Sequence, residues 1–327
     1  MSTIQEVAKY AGVSVATVSR VINKSDTVTE KTRLRVEKII EELNYEPSAL
    51  GRNLRTSESR LLLVLLPSIS NPFYSEIING IQDTVISQGY NILLCETDSN
   101  PEREAIYFNM LRNRLADGII SMDPTVNKDK LIELAANYPI VHCSEYDEDG
   151  TVAHVTINNE LAAYQAVRHL IKLGQKNIAL INTDETFLYA RERRRGYEKA
   201  LLEFGLPIRK EWIYHADKLE FQRGQQAVRK LFQQDDKPTA FFAVSDIYAI
   251  GALKEINAKG LRVPDDIALV GFDKISFSNM TYPTLTTVAQ PMYRMGCTAA
   301  DMIINKICGK EVESIILDHE LVIREST

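Results

Sequence analysis

Hydrophobic positions in the first fifty residues recur at helical spacing. Thr3 with Glu6 three residues on forms a capping box, so a helix starts at Ile4 with Ile4, Val7 and Ala8 on one face. Gly12 suits a sharp turn, and Ser14 is a good N-cap for a second helix from Val15. That helix turns Val18, Val21 and Ile22 inward and leaves Val15, Ala16, Thr17 and Arg20 pointing out. A third helix follows Thr29, with Val36, Ile39, Ile40 and Leu43 as its apolar face and Lys31, Arg33, Arg35 and Lys38 on other sides. Tyr45 and Pro47 end the unit. The first two helices read as a helix-turn-helix, whose second helix can lie in a DNA major groove. An ordinary helical hairpin with a solvated arginine has the same spacing.

The next stretch, SALGRNLRTSESR, puts Leu50 and Leu54 on one face of a short helix that Ser48 can cap. It is shorter than the ~12–15 residues an isolated helix needs in water, and Gly51 costs roughly 1 kcal/mol relative to alanine. The segment is expected to be helical only when something packs against those leucines. Arg52, Arg55 and Arg60 suggest that the something includes phosphates, although a plain flexible linker fits the same pattern.

From Leu61 the pattern changes to strands alternating with helices. LLLVLL, NILLC, DGIISM and PIVHC read as buried strands, with helices over Phe73–Ser87, Glu102–Leu115 and Lys130–Ala136. A second set begins with a helix over Asn159–Leu173 and the strand NIALIN. Helices over Glu192–Phe204, Phe221–Phe232 and Ile247–Ala258 follow, with TAFFAV and IALVGF as strands. Such alternation implies parallel sheets covered on both faces, here as two similar α/β lobes.

Charge sharpens this division. The chain of 327 residues carries a formal −6, yet residues 1–60 hold ten Lys/Arg against eight Asp/Glu, leaving 28 against 36 for the rest. Nucleic-acid affinity is therefore expected in the N-terminal piece alone. Cys95, Cys143, Cys297 and Cys308 lack CxxC spacing and read as buried free thiols in a reducing compartment. The N-terminus has no apolar leader and no run reaches membrane-spanning length, so a cytoplasmic protein with no membrane partner is expected.

In open α/β sheets ligands bind at the C-terminal ends of strands. After LLLVLL, Asn71 can cap a helix with Pro72 in its first turn, which puts Phe73 and Tyr74 at the helix mouth. An aromatic pair there can stack on a sugar or base ring, or simply fill core. Ser144 and Glu145 follow PIVHC. In ARERRRGYEKAL, the cluster Arg191, Arg194 and Arg195 reads as a solvated helix face. Ser245 and Asp246 end TAFFAV, where Asp246 can also cap the next helix, and Asp273 ends IALVGF. There is no GxxxxGK[ST], nucleophile elbow or HExxH, and the five histidines are dispersed. No enzyme, metal site or cofactor is expected.

The run Thr3–Leu54, above all VAKYAGVSVATVSRVIN, TRLRVEKIIEELNYEPSA and GRNL, closely resembles the lactose-repressor (LacI/GalR) family of bacterial transcription regulators. The likeness continues through SNPFYSEIINGI, VSDIYAIGAL, LVGFDK, PTLTTVAQP and ELVIREST, and is nearest in look to the cytidine-repressor branch. It implies an all-α helix-turn-helix domain at 1–47, a hinge at 48–59 and a periplasmic-binding-protein-like (type I) domain at 60–327. Three crossovers, near Asn158, Pro291 and Asp318, would divide the latter into an N-lobe (about 60–158 and 292–318) and a C-lobe (about 159–291 and 319–327), with a cleft between.

By the resemblance, Val15, Ala16 and Arg20 face base edges of double-stranded operator DNA, while Ser14, Thr17 and Ser19 position the helix on phosphates. Leu54 matches a wedge residue that enters the minor groove with its dimer mate. Gly51 departs from the alanine common in the family, which predicts a hinge more dependent on DNA for its helicity. Phe73, Tyr74, Ser144, Glu145, Arg193, Asp246 and Asp273 make the effector set. Arg193 and Asp273 supply a donor and an acceptor for a nucleoside or sugar. Leu219 stands where purine-binding relatives carry an aromatic, which argues against a purine. The expected protein is a homodimeric, ligand-responsive repressor. The alternative is a catabolite-control type gated by a phosphorylated carrier protein, with QPMY around Met292 as its mark.

Overall fold

The computed structural model describes residues 2–23, 25–45, 58–123 and 128–327. They fall into two compact units, 1–59 and 60–327.

In the first unit, Thr3 and Glu6 form the reciprocal capping box that starts α1 (Ile4–Ala11), and Gly12 ends it at a positive φ of 63°. Ser14 Oγ accepts the Thr17 amide at 3.2 Å and so opens α2 (Val15–Ile22). Helix α3 (Glu30–Glu42) follows Thr29 without a side-chain cap. Val7, Ala8, Ala11, Val18, Val21 and Val36 form the core, and Ile4, Ile39, Ile40 and Leu43 pack around it. Burial of this small set fixes the angle between α1 and α2, since neither eight-residue helix is stable alone. Arg33 donates to the Ser25 carbonyl at 3.2 Å, while Lys31 and Arg35 are exposed.

The second unit contains two six-stranded sheets. The chain runs β1 (Leu61–Leu66), α4 (Phe73–Ser87), β2 (Asn91–Glu96), α5 (Pro101–Arg112), β3 (Gly118–Ser121), α6 (Lys128–Ala135), β4 (Ile140–Cys143) and β5 (His154–Ile157). Then come α7 (Asn159–Lys172), β6 (Ile178–Asn182), α8 (Leu188–Glu203), β7 (Ile213–His215), α9 (Phe221–Leu231), β8 (Ala240–Ala243), α10 (Asp246–Ala258), β9 (Ala268–Asp273) and β10 (Thr286–Ala289). The chain closes with α11 (Met292–Ile307), β11 (Ile315–Leu317) and β12 (Glu320–Val322).

The first sheet has the order β11-β5-β4-β3-β1-β2 and is parallel throughout. The second has the order β12-β10-β9-β8-β6-β7, parallel except for β12 on β10. Sheet membership thus changes after β5, after β10 and between β11 and β12. Helix α11 packs on α4 and the first sheet, whereas α7 packs on α8 and the second.

Alternation along β1 shows how both faces are covered. Leu62, Val64 and Leu66 share a core with Ile77 and Ile81 of α4, while Leu63 and Leu65 share one with Phe108 and Leu111 of α5. All five are fully buried, as a parallel strand between two helical layers requires.

The structure departs from the sequence reading at several points. Helix α8 begins at Leu188, four residues before the expected start, because its cap comes from a distant residue described below. Strands β5, β7, β10, β11 and β12, each of three or four residues, carry too few positions for a periodic signal, and α11 went unassigned. The four cysteines are free, but Cys297 is only half-buried and Cys308, just past the end of α11, is exposed. Leu50, Gly51, Arg52, Leu54 and Arg55 lie outside the described residues. Among the described residues no helix is long and apolar enough to cross a membrane.

Candidate functional site

Two places carry the candidate chemistry. On α2, Ser14, Val15, Ala16 and Arg20 are exposed, and Thr17 and Ser19 half-buried. Thr17 and Ser14 hydroxyls lie 2.9 Å apart, so part of their hydrogen-bonding capacity serves the cap. Val18 and Val21, on the opposite face, are buried and hold the exposed face in orientation. The α2 surface therefore offers one guanidinium and two small apolar side chains, the chemistry that meets a guanine and a thymine methyl.

The second place is a cleft of about 570 Å³ in the unit 60–327, walled by both lobes. From the first sheet come Asn71, Phe73, Tyr74, Ser144 and Glu145; from the second come Tyr189, Arg193, Leu219, Ser245 and Asp273. Asn71 Oδ1 accepts the Phe73 amide at 3.0 Å, which fixes the start of α4. Phe73 and Tyr74 meet edge to face, with ring centroids 5.2 Å apart. Ser144 is bent to a φ of 72° by the turn that leaves β4.

At the cleft floor Arg193 is buried, with 4% of its surface exposed, and so is Asp273. Their charges lie 3.6 Å apart. Arg193 Nε donates to Asn159 Oδ1 at 3.0 Å, its Nη1 donates to the Val244 carbonyl, and its plane lies 3.6 Å from the Phe272 ring centroid. Asp273 accepts Ser245 Oγ and Gln290 Nε2, each at 2.8 Å. Its φ of 111° is strained for a residue with a side chain, and strain of this sort gathers at ligand sites. Burial pushes the Asp273 carboxyl up to about 6, against the opposing pull of Arg193 and of the two hydrogen bonds.

Glu145, expected among the effector contacts, lines the cleft but is already engaged within the protein. It is 3% exposed, and its two oxygens accept the backbone amides of Leu188 and Tyr189 at the start of α8. A first-lobe side chain thus caps a second-lobe helix. The loop carrying it is anchored by Asp147, which accepts the Thr151 and Val152 amides at 2.7 and 3.3 Å beside His142 Nε2 at 3.5 Å. Tyr146 stacks on His154 and donates to Glu192 of α8 at 3.1 Å.

Asp246 has to be corrected. It does not line the cleft, nor does it cap α10: Ser245 Oγ accepts the Ile247 amide, and Asp246 is the first helical residue. Its carboxylate is fully buried, accepting Thr287 Oγ1 at 2.6 Å and the Ile275 amide at 2.9 Å. Gly271 on β9 leaves room for that carboxylate, which any Cβ there would strike. Asp246 therefore fastens β10 to the segment that follows β9. Conversely, sequence reasoning missed Tyr189, Asn159 and Gln290. Tyr189 precedes the expected helix start at Glu192, and the other two act through Arg193 and Asp273. Among the described residues no group of three or more His, Cys, Asp or Glu could hold a metal ion.

Burial pushes the Glu145 carboxyl up to about 8, offset in part by the two α8 amides. A carboxyl that keeps its proton longer in the folded chain than in the unfolded one makes stability fall as pH rises between the two values. Wild-type melting temperature is expected to drop from pH 5 to pH 8, with Asp273 adding to the drop up to about 6. Glu145→Gln should flatten the curve above pH 6. Scanning calorimetry across this range checks it; an unchanged slope counts against the buried carboxyl.

Two family models match. Residues 3–48 match bacterial regulatory proteins of the lacI family, and residues 59–325 match periplasmic binding proteins and the sugar binding domain of the LacI family. The chain is 38% identical to catabolite control protein A of Priestia megaterium, over 99% of each. It is 36% identical to the transcriptional repressor CytR of Escherichia coli K12, over 100% of this chain and 96% of the relative. The lac repressor dimer bound to operator and the anti-inducer ONPF is similar in structure, with a TM-score of 0.90, 28% identity, and coverage of 99% and 98%.

Proposed function

The chain belongs to the LacI family of bacterial regulatory proteins, DNA-binding transcriptional regulators and not enzymes, and on that premise we propose that it is a homodimeric repressor whose cleft takes a nucleoside or sugar. It acts in the cytoplasm, where its operator is. In this reading Arg20 bonds a guanine bidentately while Val15 and Ala16 touch methyl groups. Ser14, Thr17 and Ser19 set the helix on phosphates, and Leu54 of each subunit wedges the centre of a pseudo-palindromic site.

The observation that carries the effector half is the buried Arg193–Asp273 pair, 3.6 Å apart in a cleft flanked by Tyr74, Phe73 and Tyr189. Buried charges seldom lie against an open cavity unless a ligand uses them. Ser144 and Glu145 on the opposite wall supply further hydroxyl and carboxyl contacts. A ligand that touches both lobes favours one spacing of them, and that preference is what couples cleft to operator. The dimer has support in an apolar edge: Ile86, Leu93 and Leu94 are exposed beside β2, and a second copy would cover them.

Two experiments test the reading. Selection of the purified chain against random duplexes should return a pseudo-palindrome with a guanine in each half-site. A thermal-shift screen of nucleosides and sugars should then raise the melting temperature with at least one compound. Recovery of no common duplex sequence contradicts the first half, and a flat screen contradicts the second. The carrier-protein alternative has the likeness to catabolite control protein A in its favour, and it predicts that flat screen.

A further inference from the structure

We infer that the cleft selects an uncharged ligand over its phosphorylated counterpart, and that Glu145 is the specificity-determining residue. The inference rests on the cleft reading above and adds the charge class of the ligand.

A phosphate group binds where a free cation or free backbone amides await it. Among the described lining residues Arg193 is the only buried cation, and its charge is already answered. Asp273 lies 3.6 Å away, Asn159 Oδ1 and the Val244 carbonyl take two of its donors, and the Phe272 ring covers its face. Three helix starts line the cleft. The Phe73 and Tyr74 amides of α4 already donate to Asn71, and the Ile247 amide of α10 to Ser245 Oγ. That leaves the start of α8, a sixteen-residue helix. Its Leu188 and Tyr189 amides already donate to Glu145 from the opposite lobe.

The rim adds no attraction. Asp98 pairs with Arg103 at 3.6 Å and Asp217 with Arg223 at 2.8 Å, while Asp184 and Glu220 outnumber the exposed Lys218. A phosphorylated ligand would have to expel Glu145 from its two amides and then lie beside acidic groups. An uncharged one needs only the acceptor oxygens of Asp273 and the hydroxyl and amide groups already on the walls. Glu145 thus fills the α8 terminus where a bound anion would sit, and keeps one out.

The test uses the full-length chain, calorimetric titration, and matched pairs at constant ionic strength: cytidine and its 5′-monophosphate, adenosine and its 5′-monophosphate, glucose and its 6-phosphate, ribose and its 5-phosphate. Whichever scaffold binds, its phosphorylated member should bind at least about 30-fold more weakly, the scale of an unfavourable charge contact. Inorganic phosphate should give wild type no saturable thermal shift beyond that of chloride. Glu145→Ala, which frees both amides, should gain one. Glu145→Ser answers the same question if the alanine variant does not fold. A phosphorylated member that binds as tightly as its parent, saturable phosphate binding by wild type, or a folded variant that gains nothing would overturn the inference. If no member of any pair binds, the nucleoside-or-sugar reading fails, while the inorganic phosphate measurements still decide the charge class.

Discussion

Arg20→Ala is expected to lower operator affinity by between roughly 30-fold and 10⁴-fold, since a bidentate arginine–guanine contact is worth about 1–3 kcal/mol and the dimer makes two. The residue is exposed on α2 and bears none of the fold: the core beneath it is Val18, Val21 and their α1 and α3 neighbours. Melting temperature should therefore stay near wild type. Discrimination between operator and a random duplex should collapse more than affinity for the random duplex does, because phosphate contacts survive the change. Anisotropy titrations with both duplexes at one salt concentration measure this. Equal losses on both would make Arg20 a phosphate contact and move base reading elsewhere on α2.

The second large effect is expected from Arg193→Ala, and it is less clean than the sequence suggested. Read as an effector contact alone, the arginine could be removed without harm to DNA binding. In the fold it holds Asn159, the Val244 carbonyl and the charge of Asp273 together. Removing one partner of a buried pair leaves the other uncompensated and costs about 3–5 kcal/mol, less whatever Asp273 recovers by taking up a proton. The variant should lose the effector response and also melt several degrees earlier. The loss is larger above pH 6, where the wild-type carboxyl ionises against Arg193 while the unpaired one is pushed higher and must hold its proton. Arg193→Ala with Asp273→Asn should recover much of the stability and none of the response. A double variant as unstable as the single one would show that the packing of Arg193 on Phe272, rather than its charge, is what the fold needs.

These two residues also show how far the sequence could be read. Local signals carried the reader domain: the Thr3–Glu6 box, Gly12 and the Ser14 cap each act within three or four residues and stand where the spacing puts them. The helix over Phe73–Ser87 was equally legible, because Asn71 and Pro72 mark its start in the chain itself. Helix α8 was not, since the groups that satisfy its first amides belong to Glu145, more than forty residues upstream. The same long-range contact buries Glu145.

Asp246 and Asp273 were assigned to the site on the same ground, and the fold separates them. Both sit at strand ends where ligands bind, yet only Asp273 faces the cleft. Asp246 turns into a pocket that Gly271 opens, which no rule about strand ends anticipates. Tyr189 lines the site and Asn159 holds Arg193 through tertiary packing alone, and no motif marked them.

The central claim is that cleft and operator are coupled, and linkage makes it directly measurable. With a nucleoside or sugar found by thermal shift, its affinity is titrated by calorimetry with and without operator, and operator affinity is titrated by anisotropy with and without the ligand. The account predicts that both ratios depart from one by the same factor, on the order of 5- to 150-fold. A ratio of one in both titrations, with ligand and operator each bound, would contradict it.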